Sequence, residues 1–263
     1  MEGLLYRIIV VYFVLGAIAF AFIGRGKSRD QKKEIWLKYG TYVIIIHAMF
    51  GSIYYGWYFF SILAFLIVAV GYTELIKVWW SGRMRAGIVE KTRGVNEENR
   101  KVHGLPAGHG FFILSVVCYT ILAVPFLLFS FSAQGFLYFL FVVVTIFDAF
   151  SQISGQLLGG KKLIPSVSPR KTIAGLAGGG LVALTTAVFL GGFINAGWIS
   201  ALLLSSIIVI FALMGDLLAS YYKRKYDVKD FGSLLPGHGG FLDRFDSLIA
   251  GGAAMYLFIN LMS

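Results

Sequence analysis

Cysteine is almost missing from this chain: Cys118 is the single one in 263 residues and lies in an apolar run, so no intramolecular disulfide can brace the fold. Charge is scarce as well. Only 14% of the residues are Asp, Glu, Lys or Arg against 58% hydrophobic, which leaves too little polar surface to cover a soluble globule. Acidic groups are the scarcest, 13 against 23 basic ones. A processing site is also lacking: the apolar run from Leu4 to Ile23 reaches Arg25 without a small-residue cleavage motif, and it reads as a membrane span and not as a signal peptide.

What is present is a series of apolar runs, each able to cross a hydrocarbon core of ~30 Å with about 20 residues. They fall at roughly 4–23, 40–55, 57–76, 111–131, 135–158, 172–191, 196–219 and 247–262. The expectation is an all-α, polytopic transmembrane helical bundle of about eight spans in one membrane domain. Within it, residues 1–110 supply N-terminal helices and basic loops, and 111–263 form the catalytic region. The second and third runs are separated only at Gly56 and Trp57.

Lys and Arg are confined to alternate connections. Those after the first, third, fifth and seventh runs hold 22 of the 23 basic residues, Arg7 being the exception, and the connections near Gly56, Ser132 and Gly192 hold none. Cytoplasmic loops are enriched in Lys and Arg, so both termini are expected outside and the four basic loops inside. A basic cytoplasmic face rests against anionic membrane lipids and attracts anionic substrates, and the net charge of +10 calls for no nucleic acid. The membrane is the plasma membrane if the source is bacterial. A homodimer is compatible with the sequence but not required by it.

Glycines within the later runs (Gly175, Gly178, Gly179, Gly180, Gly251, Gly252) would let helices approach closely, with a direct substrate role as the alternative. The segments Pro106–Phe111 and Pro236–Phe241 echo one another, and chance accounts for so short a match.

Ionisable residues at membrane depth are functional candidates by default. Asp148 is followed at i+3, i+4, i+7 and i+8 by Ser151, Gln152, Gly155 and Gln156, a polar stripe that must face protein or water. It either lines a substrate site or supplies hydrogen bonds between helices. Asp216 is followed by Ser220, Lys223 and Arg224 at i+4, i+7 and i+8, a carboxylate, a hydroxyl and two cations suited to a metal-bound phosphate. A snorkelling helix end would explain the two cations but not the aspartate beneath them. Between the last two runs Lys229, Asp230, His238, Asp243, Arg244 and Asp246 crowd around Gly237, Gly239 and Gly240, whose backbones can approach a ligand. Asp243 and Asp246 project to one side of a helical start. Hard oxygen donors of this kind suit Mg²⁺, which takes one or two carboxylates plus substrate phosphates. The composition of this stretch points to metal-dependent handling of a phosphorylated substrate at a membrane surface.

Ser220-Tyr221-Tyr222-Lys223-Arg224, Lys229-Asp230-Phe231-Gly232 and Leu235-Pro236-Gly237-His238-Gly239-Gly240-Phe241-Leu242-Asp243-Arg244-Phe245-Asp246 fill nearly every fixed position of one pattern. That pattern is S-x-x-K-R-x4-K-D-x-G-x2-L-P-x-H-G-G-x-x-D-R-x-D. The stretch resembles the signature of the phosphatidate cytidylyltransferases (CDP-diacylglycerol synthases), and with Gly215-Asp216-Leu217 the resemblance spans 215–246. A looser likeness runs through Asp148, Gly155, Gly159 and Val167-Ser168-Pro169-Arg170-Lys171-Thr172. Here the chain departs at Ala149-Phe150 and has Ile173-Ala174 where many members have Trp-Glu. The first hundred or so residues carry no family motif.

The resemblance implies transfer of a cytidylyl group from CTP to phosphatidate, forming CDP-diacylglycerol and pyrophosphate with Mg²⁺. Asp216, Lys223, Arg224, Lys229, Asp243 and Arg244 are then the catalytic set, with Asp216, Asp243 and Asp246 holding the metal. Asp148, Ser168, Arg170, Lys171, Ser220, His238, Gly239 and Gly240 would contact substrate, His238 either donating to a phosphate or fixing the glycine-rich turn. A membrane CTP-dependent lipid kinase of the dolichol or phytol type is the runner-up, but it needs a base for an alcohol. A transporter or scaffold would leave the 220–246 constellation without a purpose.

The charge distribution generates a topology test. In a Cys118→Ser background, cysteines placed at Lys32, Arg93, Lys162 and Lys225 are expected to be shielded from an impermeant thiol reagent in intact cells. Those at Gly56, Ser132 and Gly192 are expected to react, and labelling at any basic loop would overturn the inside assignment.

Overall fold

The computed structural model describes residues 28–92, 108–235 and 239–262, with six further positions between 3 and 21. The expected first span therefore lies mostly outside the described residues, as do Arg93, Arg100, Lys101 and the Pro236–His238 segment. The described chain is mostly helical: α1 (Arg29–Tyr54), α2 (Trp57–Thr92), α3 (His109–Phe129), α4 (Gln134–Leu158), α5 (Ile173–Leu190), α6 (Trp198–Lys225) and α7 (Leu242–Met262). Five of these, α2 to α6, contain stretches long and apolar enough to cross a membrane. They match the expected runs at 57–76, 111–131, 135–158, 172–191 and 196–219. The expected count of eight is not reached among the described residues: the apolar part of α1, Tyr39–Tyr54, is shorter, and α7 begins with Asp243, Arg244 and Asp246.

Local chemistry sets the helix ends. Ser28 and Gln31 form a capping box that starts α1 well before its apolar part, so much of the expected first basic loop is helical. α1 and α2 part at Gly56, whose φ of 116° is open to glycine and costly for other residues. α2 continues past its apolar stretch through Lys77, Arg83 and Arg85. Lys223, Arg224 and Lys225 in the last turn of α6 meet the negative end of its helix dipole.

Among the described residues the fold departs from an all-helical expectation in a two-stranded ribbon. Lys162–Ile164 (β1) pairs antiparallel with Ser168–Thr172 (β2), in a segment expected as a basic loop. Pro165 and Pro169 rule out continuation of α4, and a two-stranded ribbon tolerates Pro169 because its strands are edges. Thr172 ends β2 and caps α5, its hydroxyl accepting from the Gly175 amide at 3.0 Å.

The core is apolar and tight, with Phe126 of α3, Leu137 and Leu140 of α4, Ile208 of α6 and Met255 of α7 all inaccessible. The glycines act as close-approach points, as expected. A Cβ at Gly179 would lie 2.7 Å from the Ser151 nitrogen and 2.8 Å from the Phe147 oxygen, and one at Gly252 would lie 2.6 Å from the Phe126 ring. Gly180 is different, for a Cβ there meets nothing. Gly179→Ala is accordingly expected to destabilise the detergent-solubilised protein by about 1–3 kcal/mol through forced separation of α4 and α5. Gly180→Ala should leave its thermal unfolding unchanged, and equal effects of the two would contradict this packing.

Candidate active site

The charged residues collect where α6 ends and α7 begins, with the β-ribbon folded against them. Asp216 lies about two and a half turns before the end of α6. Its Oδ2 pairs with Nζ of Lys171 in β2, and its Oδ1 accepts from the Ser220 hydroxyl one turn on, at 3.3 Å. Arg224 fastens the ribbon from the other side, Nε donating to the Val167 carbonyl at 3.2 Å and a guanidinium NH to Val228 O at 2.9 Å. Ser168 is half-buried beside this junction, and Arg170 and Lys229 are exposed.

A second ion pair sits deeper. Lys223 Nζ binds Asp243 Oδ1, the side chains being 9% and 6% exposed. The other oxygen of Asp243 accepts from the amides of Phe231 and Gly240, each at 2.9 Å. One carboxylate therefore ties together the end of α6, the loop after it and the start of α7. The loop is closed further on by Leu235 N–H donating to Gly239 O at 3.1 Å, around the residues that include His238, which lies outside the described set. Gly239 has a φ of 88°, and a Cβ there would meet Asp230 at 2.9 Å, so the turn needs glycine on both counts.

Asp148, Asp216 and Asp246 form one electrostatic group, with Lys171, Lys223 and Arg244 as its counter-charges. The Asp148 carboxyl also engages the Ser247 side chain, while Asp246 Oδ1 accepts from the Ser247 amide at 2.7 Å. Arg244 reaches α1, donating to the Tyr42 hydroxyl at 3.1 Å with its guanidinium 5.8 Å from the Tyr42 ring centre. The polar stripe after Asp148 is divided in function. Ser151 and Gly155 pack against the glycines of α5, whereas Gln152 and Gln156 are exposed.

The sequence reading passed over Glu74. It stands inside the apolar run 57–76, where the rule that singled out Asp148 applies equally, and it is 3% exposed in α2. Its Oε1 accepts from Phe241 N–H at 2.8 Å and its Oε2 from Leu242 N–H at 2.7 Å.

Among the described residues no three Asp, Glu, His or Cys groups converge as a ready-made cation cage. Mg²⁺ does not demand one, since it usually takes one or two carboxylates and completes its shell with water and substrate phosphates. Two of the carboxylates, Asp216 and Asp243, are each met by a lysine ammonium. The carboxylate oxygens of Asp216, Asp243 and Asp246 are hard donors of the kind a divalent cation takes.

Apolar helices that gather aspartates, lysines and arginines at one end define an integral membrane protein with a charged cluster at the end of its bundle. Residues 92–262 match the sequence model of the cytidylyltransferase family, well over half of the chain, and the chain belongs to that family. It is similar to proteins named phosphatidate cytidylyltransferase from Brucella melitensis, 46% identical over 125 residues, and Bacillus subtilis, 40% identical over 130. A third, from Rickettsia bellii, is 41% identical over 128 residues. The matched segments cover 46%, 49% and 46% of this chain and 45%, 48% and 55% of the three relatives, so the likeness spans about half of each.

The buried pair yields a stability test. Removing one partner leaves a charge uncompensated, so Lys223→Met and Asp243→Asn should each cost about 3–5 kcal/mol in detergent. The double variant should recover part of that loss. Additive losses in the double-mutant cycle would mean that the two side chains do not act as a pair.

Proposed function

We propose that this protein transfers the cytidylyl group of CTP to phosphatidate, forming CDP-diacylglycerol and pyrophosphate. The observation that carries this reading is the gathering of Lys171, Asp216, Ser220, Lys223, Asp243 and Asp246 around the junction of α6 and α7, in a chain of the cytidylyltransferase family. An oxygen of the phosphatidate monoester attacks the α-phosphorus of CTP. The bond from that phosphorus to the bridging oxygen breaks, and pyrophosphate leaves with the electron pair. The attacking group is already an anion, so no residue need act as a base. The protein's task is to align two anions and stabilise the charge that develops between them.

Lys171, Lys223, Arg224, Lys229 and Arg244 would bind phosphate oxygens. Ser168, Arg170, Ser220, His238 and the Gly239-Gly240 backbone would shape the pocket beside them, with Asp148 at its inner wall. One or two of Asp216, Asp243 and Asp246 would hold Mg²⁺, substrate phosphates completing its shell. When bound, the ion supplies charge neutralisation at the phosphates. For this chemistry to meet cytosolic CTP, the basic ends of the helices face the cytoplasm, and both termini lie outside if the bundle has eight spans.

The test is product analysis on purified protein in mixed micelles with CTP, phosphatidate and Mg²⁺. CTP-dependent pyrophosphate release with formation of a cytidylylated lipid is expected. Release of CDP would replace this reading by a lipid kinase, and no turnover would leave a transporter or scaffold. Asp216→Asn is expected to lose roughly 100-fold or more of the activity and to be partly rescued by excess Mg²⁺. Lys223→Ala should instead be relieved by raised substrate. Unchanged Mg²⁺ dependence in Asp216→Asn would remove Asp216 from the metal site.

A further inference from the structure

Glu74 belongs to none of the groups above and lies outside the segment matched by the family, residues 92–262. A buried carboxylate on an apolar helix is costly unless its oxygens are satisfied, and here each takes one backbone amide. Those amides belong to Phe241 and Leu242, at the very start of α7, where helical N–H groups have no partner within the helix. The next two residues are Asp243 and Arg244. One position along α2, the Leu75 carbonyl accepts from the Tyr222 hydroxyl of α6 at 2.8 Å. α2 thus grips both site-bearing helices through adjacent residues. The loop closes over the carboxylate, for a Cβ at Gly232 would come within 3.1 Å of Glu74 Oε1.

We propose that Glu74 is a positioning residue for cytidylyl transfer, fixing the height and rotation of the α7 N-terminus so that Asp243, Arg244 and Asp246 face Asp216 and the substrate phosphates. The proposal rests on the transferase reading. Glu74 acts through the backbone of α7 and touches no substrate. Both of its targets are donors, so a carboxylate, which accepts at both oxygens, suits the position where an amide does not: a glutamine would turn its NH₂ group toward one of the two N–H groups. Aspartate keeps the acceptors but is shorter by one methylene.

The experiment compares wild type, Glu74→Gln, Glu74→Asp and, as a packing control, Tyr72→Phe, which removes the 2.7 Å hydroxyl pair with Thr120 between α2 and α3. Each is purified in mixed micelles, and kcat, KM for CTP and phosphatidate, and thermal unfolding are measured per folded molecule. Glu74→Gln is expected to lower kcat roughly 10- to 100-fold, as small misplacements of reacting groups do, with KM nearly unchanged. Glu74→Asp should fall between it and wild type. Tyr72→Phe should lower Tm while leaving kcat unchanged. A Glu74→Gln variant with wild-type kcat per folded molecule overturns the proposal, whatever its Tm. Where that variant yields no folded protein, Glu74→Asp decides: reduced kcat supports the proposal and unchanged kcat overturns it. A wild-type protein without pyrophosphate release overturns the transferase reading and this proposal with it, whereas an active wild type with an unaffected variant overturns this proposal alone.

Discussion

Asp243 and Glu74 between them accept four backbone amides, those of Phe231 and Gly240 on one carboxylate and those of Phe241 and Leu242 on the other. The start of α7, which carries Asp243, Arg244 and Asp246, hangs on this clamp. Phe231, Gly240 and Leu242 are buried beside an apolar bundle, where an unbonded amide would carry a desolvation cost of about 1–3 kcal/mol. Side chains from α2 and α7 remove most of that cost at the point where the loop turns into α7. Lys223 completes the arrangement by neutralising Asp243 from α6, so three helices converge on one short stretch of chain.

The same pairing of charge explains how a cluster of ionised groups can exist among apolar helices. Three of the four carboxylates in the cluster have a cation beside them: Lys171 meets Asp216, Lys223 meets Asp243, and Arg244 lies near Asp148. Lysine suits these positions because its ammonium sits on a flexible stem and can exchange a carboxylate for a phosphate, whereas Arg224 and Arg244 also brace the architecture through Val167, Val228 and Tyr42. The β-ribbon matters for this reason. It carries Lys171 to Asp216 from a part of the chain some 45 residues away in sequence, a convergence that a loop of no fixed shape would not hold.

Much of the fold was legible because membrane spans are long apolar runs, and α2 to α6 follow the runs read from the sequence. Asp148 and Asp216 were legible for a related reason: a lone acid in such a run has to be compensated. Glu74 satisfied the same rule and escaped notice because its partners are backbone amides more than 160 residues away, which no spacing pattern reveals. The ribbon was hidden by its prolines and lysines, which read as loop. Its order comes from the Lys171–Asp216 pair and the Arg224 bond to Val167, not from its own strand propensity. The stripe Asp148, Ser151, Gln152, Gly155, Gln156 was correctly placed on one helix, but helical spacing could not show that Ser151 and Gly155 would be consumed in contact with α5.

Hydrogen exchange at single amides tests the clamp most directly, because the four amides concerned lie outside regular helical bonding and would otherwise exchange at loop rates. In wild-type protein the account predicts that the Phe231, Gly240, Phe241 and Leu242 amides are protected to the same degree as the interior of α7, while the neighbouring Gly232, Ser233 and Leu234 amides exchange freely. Fast exchange at Gly240, Phe241 and Leu242 alongside a protected α7 interior would contradict it, because the start of α7 would then be held by something other than these two carboxylates.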